Sequence, residues 1–98
     1  MTRVAQAVYP RSKRLVRFTS EKRGDARRVC VGDLVDSIPQ LPWTPLMRVA
    51  VMPMINRRKF VHMSIAKKWA DDLETKQHKK HAAELRNLLT WVGREVVS

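Results

Sequence analysis

The side chains most able to do chemistry here are cations. Arg11, Lys13, Arg14, Arg17, Lys22, Arg23, Arg27 and Arg28 follow one another in the first 28 residues, where nine basic residues stand against two acidic ones. Arg57, Arg58, Lys59, Lys67 and Lys68 form a second cluster with no acid among residues 57–68. A guanidinium pairs bidentately with phosphate, and aromatic or Arg planes stack on unpaired bases. Tyr9 and Phe18, interleaved with the first cluster, suit that role. Both clusters are therefore candidate RNA-binding sites. Like charges so dense repel one another unless a polyanion neutralises them, and counterion release drives such binding. A solvated basic face is the plainer alternative, but such faces usually mix the two signs.

Other chemistry is weakly supported. Glu74, His78, His81 and Glu84 have spacings that could gather carboxylate and imidazole on one helix face, as in half of a metal site. Lys76, Lys79 and Lys80 crowd that face and no second half is visible, so no metal is expected. A Gly-rich phosphate loop, a nucleophile elbow and a Cys-x-x-Cys pair are all missing from the sequence. A chain of 98 residues is also short for shaping a water-excluding pocket. The expectation is no enzyme, no cofactor and no small-molecule substrate.

Composition narrows the class. The net charge is +11 with a pI near 10.9. Hydrophobic residues make up 44% of the chain, too many for full disorder. Cys30 is a lone cysteine, which excludes an intramolecular disulfide and fits a reducing compartment. The apolar run Leu41–Ile55 is broken by Arg48 and three prolines and falls short of the ~18 residues of a membrane span. Arg3, Arg11, Lys13, Arg14 and Arg17, with Ser12, Thr19 and Ser20, precede the first acid, Glu21. That is the composition of a mitochondrial targeting segment.

The elements that would position these groups are read as three segments. Residues 1–28 are an extended basic arm with a reach of roughly 90 Å. Residues 29–56 are an apolar, proline-rich docking segment in which Pro39, Pro42 and Pro45 impose an irregular course and display Trp43. Val29–Val31 could be a strand, and a short helix could begin at Gly32 or Asp33. Residues 57–98 are a long amphipathic helical segment, about 50 Å if continuous from Ser64, a plausible N-cap, to Val96. Its apolar stripe changes phase: Ile65, Ala66, Trp69, Ala70 and Leu73 share one face, whereas Leu85, Leu88, Leu89, Val92 and Val96 share another. Either the helix breaks near 76–81 or its halves meet different partners. Trp43, Ile65, Trp69, Leu73, Leu85, Leu88, Leu89 and Val92 are the candidate protein-docking residues. The fold expected is mainly α within a single small domain, with little or no independent globular core.

This layout resembles, at the level of class, the small proteins of mitochondrial ribosomes, in which a basic arm threads rRNA and an amphipathic helix docks on protein neighbours. The resemblance implies a structural constituent of the ribosome, most readily the mitochondrial one, with ribosomal RNA and neighbouring subunits as partners and the mitochondrial matrix as its location. A second resemblance is local. Ile38-Pro39-Gln40-Leu41 with Trp43 is similar to the Pro-Gln-Leu start of the eighth subunit of mitochondrial ATP synthase, although Arg48 and Pro53 interrupt the stretch where that family has its membrane helix. It implies the alternative: an accessory subunit of a mitochondrial inner-membrane complex binding anionic lipid. A cytoplasmic location is the remaining alternative.

Overall fold

Val4–Tyr9 and Arg14–Thr19 form two strands, β1 and β2, joined by the four residues Pro10–Lys13. Pro10 presets the turn, and Lys13 closes it with φ 59°, its N–H donating to the Tyr9 carbonyl at 2.7 Å. The alternation along both strands turns Ala5, Ala7, Tyr9, Val16 and Phe18 to one face.

Arg28–Cys30 forms β3, antiparallel to β2 through Phe18 and Val29. The chain then enters helix α1, Val31–Ser37. Helix α2, Pro45–Val51, starts with proline in its first turn and Thr44 as cap, the Met47 N–H lying 3.4 Å from Thr44 Oγ1. Strand β4, Phe60–His62, returns antiparallel to β3. The sheet order is therefore β1-β2-β3-β4. Helices α3, Met63–Thr75, and α4, Lys79–Arg94, follow as a hairpin. The computed structural model describes residues 3–20, 26–51 and 58–95.

The α3–α4 turn is a Schellman motif. His78 N–H donates to Leu73 O at 2.8 Å and Gln77 N–H to Glu74 O at 3.0 Å, with Gln77 in the left-handed region at φ 70°. Arg86 of α4 pairs with both Asp71 and Glu74 of α3, tying the two helices together.

One core fills the space between the sheet and the helices. Val16, Phe18, Val29 and Val61 meet Leu34, Met47, Ala66, Trp69, Leu73, Leu85, Leu88, Leu89 and Val92, all of them buried. The radius of gyration, 12.5 Å, is that of a folded domain, about 13 Å for 100 residues.

The mainly α expectation is overturned: the chain is an α+β fold with a four-stranded antiparallel sheet and its own core. The extended basic arm is a hairpin plus a third strand, because the apolar residues between its cations alternate and pair across the sheet. The irregular course expected after Pro45 is a helix as far as Val51. Capping at the start of α3 falls to His62, whose Nδ1 accepts from Ser64 N–H at 3.1 Å.

Candidate nucleic-acid interface

Strand pairing sets Arg28 of the first cluster in the sheet beside β4, the strand that Arg58 and Lys59 of the second cluster precede. Arg28 stands directly opposite His62, and Cys30 opposite Phe60. Since Phe18 pairs with Val29, the next residues outward, Thr19 and Arg28, are neighbours, and the Arg28 N–H donates to Thr19 Oγ1 at 2.8 Å. Phe18, Val29 and Val61 point into the core, so Arg17, Thr19, Arg28, Cys30, Phe60 and His62 share the outer face. Arg28 is exposed, Phe60 and His62 are half-buried, and Arg58 and Lys59 lead into β4 exposed.

Geometry fixes several of these groups. His62 Nδ1 is engaged by Ser64, through both its N–H and its hydroxyl at 2.7 Å, leaving Nε2 as the free edge of the ring. Arg17 is committed elsewhere. Its Nε and Nη2 reach the two oxygens of Asp33 at 2.8 and 3.2 Å, and its backbone N–H donates to the same carboxylate at 2.9 Å. Asp33, in the first turn of α1, thus accepts a β2 backbone N–H at the point where β3 gives way to helix. Burial alone would raise the Asp33 pKa, but the bonds from Arg17 outweigh it and hold the carboxyl below its usual range. The same bonds raise the Arg17 pKa. A guanidinium paired so fully has little left for phosphate.

The other cations expected to bind RNA are scattered. Arg27 lies in the core at 2% exposure, its Nη1 donating to the Val92 carbonyl and its guanidinium stacked over Phe18. This corrects its assignment as a phosphate contact, because a strand places adjacent residues on opposite faces. Arg11, Lys13 and Arg14 are exposed at the β1–β2 turn, at the other end of the sheet. Arg11 and Arg14 border a cleft of about 410 Å³ that Asp36 and Glu84 also line, so its charge is mixed. Lys67 is half-buried and Lys68 exposed on α3. Lys22, Arg23 and Arg57 lie outside the described residues.

The protein-docking set is corrected too. Trp69, Leu73, Leu85, Leu88, Leu89 and Val92 pack against this chain's own sheet and helices rather than a neighbour. Trp43 is half-buried against the same core, and Ile65 alone of the set is exposed. The spacing that suggested a metal half-site assumed a continuous helix. The turn at Gln77 separates Glu74 from His81 and Glu84, Glu74 pairs with Arg86, and a His81 ring nitrogen lies 3.2 Å from the Pro39 carbonyl. Among the described residues no three side chains converge as metal ligands.

Sequence reading missed Thr19, Phe60 and His62. Their signal was faint: alternation over Phe60-Val61-His62 just after a basic triplet, three residues long.

The site joins a half-buried aromatic ring and imidazole with an exposed guanidinium, beside exposed Arg58 and Lys59, while the Thr19 hydroxyl is buried and bonded to the Arg28 N–H. Such a surface can stack an unpaired base and pair the phosphates flanking it. No protein-family model, no curated protein and no solved structure matches this chain.

Proposed function

We propose that the chain is a non-catalytic RNA-binding protein, a structural constituent of a ribosome, with the mitochondrial ribosome as its setting. The observation that carries this reading is the β3–β4 pairing, which sets exposed Arg28 opposite His62 at one end of β4 while exposed Arg58 and Lys59 lead into Phe60 at the other. Unpaired nucleotides suit it, since a half-buried aromatic next to exposed cations offers stacking. The ribosomal setting rests on the charge of +11 and on the basic, hydroxyl-rich start of the sequence. The alternative, binding to anionic lipid through Leu41–Ile55, gains less support, because Leu41 and Met47 are buried in the core.

The test is affinity for unstructured RNA against salt. Each phosphate contact contributes about 0.7 to the slope of log affinity on log salt for a single strand. Binding that weakens steeply with salt and prefers RNA to phosphatidylserine vesicles supports the reading; salt-independent binding, or equal binding to vesicles, overturns it. Capture of ribosomal RNA from mitochondrial lysate, lost on nuclease treatment, tests the setting. Recovery of inner-membrane complexes instead, unaffected by nuclease, would assign the chain to them.

A further inference from the structure

The sheet has two edges, and they differ. β4 is three residues long and Arg58 and Lys59 precede it, a short and charged edge of the kind that resists pairing. β1 is six residues long and contains neither charge nor proline, in a chain of which 30% is charged.

The pairing register shows which groups of β1 are left over. Ser20 N–H donates to Arg3 O at 2.8 Å across the hairpin, so Arg3, Ala5, Ala7 and Tyr9 are the residues bonded to β2. The intervening Val4, Gln6 and Val8 turn their N–H and C=O groups away from β2, towards the open edge. Their side chains lie on the outer face. Val4 is 59% exposed, Val8 56%, and Leu15, directly opposite Val8, 46%. Three of the five large apolar side chains exposed among the described residues thus stand along this one margin.

We propose that β1 is a docking edge that receives an extended strand from a partner protein, apolar at its centre and acidic at its ends. An added strand would complete the ladder at Val4, Gln6 and Val8 and cover Val8 and Leu15. Charge selects the partner. Arg3 lies at one end of β1 and Arg11, Lys13 and Arg14 at the other, and residues 3–20 contain no acid. A second copy is disfavoured: a parallel pair sets Arg3 against Arg3, and an antiparallel pair sets Arg3 against the cations of the turn. A strand with acidic flanks meets cations at both ends in either direction. RNA has no amide ladder to add, and the surface assigned to it lies across the sheet.

The probe is a synthetic peptide of alternating valine and threonine with aspartates at both ends, titrated into the full chain while amide exchange is followed. The expected result is slowed exchange at Val4, Gln6 and Val8, with a lysine-flanked version of the peptide binding at least about tenfold more weakly. Gln6→Pro removes one outward N–H and leaves the β1–β2 bonds intact, a place where an edge strand accepts proline. It should weaken the peptide about tenfold while leaving thermal unfolding and RNA affinity unchanged. Val8→Lys, which guards the edge with a charge, should do the same if Gln6→Pro proves unfolded. No binding of the acidic peptide overturns the proposal. So do exchange changes confined to other strands, undiminished binding by both variants, or self-association of the chain through β1.

Discussion

The guanidinium carbon of Arg27 sits 5.1 Å from the centroid of the Phe18 ring, and its Nη1 donates to the Val92 carbonyl in the last turn of α4. Trp91 meets Phe18 edge-on at 6.4 Å between centroids and Tyr9 at 5.0 Å, enclosing the same corner with aromatic surface. The negative end of the α4 dipole and the ring face both favour a cation there. Arg27→Met should lower the unfolding free energy by about 2 kcal/mol in urea titrations, since it takes a charged donor from a buried helix-end carbonyl, leaving it only the Glu95 N–H, and loses the stacking. The salt slope of RNA binding by the folded variant should stay that of the unsubstituted protein.

Arg28, one position on, should behave in the opposite way. Arg28→Ala, Arg58→Ala or Lys59→Ala should each reduce the salt slope by about 0.7 with little change in thermal unfolding. Phe60→Leu should weaken binding to single-stranded RNA by about 1–3 kcal/mol and leave the slope as it was, because stacking releases no counterion. Electrophoretic or fluorescence titrations at several salt concentrations separate the two effects.

Asp33 gives the fold an acid-sensitive joint. Its folded pKa lies below the ordinary 3.8, so its ionised form is favoured by folding. The stability it contributes is present above about pH 4 and is lost as pH falls through the folded value. In Asp33→Asn that contribution is gone throughout. Denaturation midpoints of the two proteins should therefore differ at neutral pH and converge as the pH falls from the ordinary 3.8 through the lower folded value; a constant difference would contradict the assignment.

Gln77 occupies a left-handed position that glycine adopts without strain. Gln77→Gly should raise stability by roughly 0.5–1 kcal/mol, and Gln77→Val, branched at Cβ, should lower it by at least as much. Calorimetry of the three proteins decides.

Leu88 distinguishes a core from a docking face. Buried fully between helices and sheet, it should cost the isolated chain about 3 kcal/mol on truncation to alanine. A residue waiting for a neighbouring subunit would cost it almost nothing.

Some of this fold could be read in the sequence. The α4 stripe of Leu85, Leu88, Leu89 and Val92 is buried as one face, and the change of phase after Leu73 falls where Gln77 turns the chain. What resisted reading was the sheet. Val4–Tyr9 and Arg14–Thr19 alternate around a Pro10–Lys13 turn, yet the density of cations argued for an arm, and apolar alternation proved the stronger determinant. Thr44-Pro45 carried a helix-start signal beneath a run of prolines. The β3–β4 pair carried almost none: each strand is three residues long, and they pair across an intervening stretch that holds α1 and α2. Arg27 and Arg28 are the same side chain in the same cluster. One residue of phase buries the first and exposes the second.

That Arg28 and His62 face each other across strands so distant in the chain also binds the fate of the surface to that of the fold. Unravelled, the polypeptide keeps every cation but scatters them along separate tracts. On the proposed function, a nucleotide gripping both strands would act as a clasp, stabilising the native form by mass action. The temperature at which the protein melts should climb as RNA is added, and climb least in high salt.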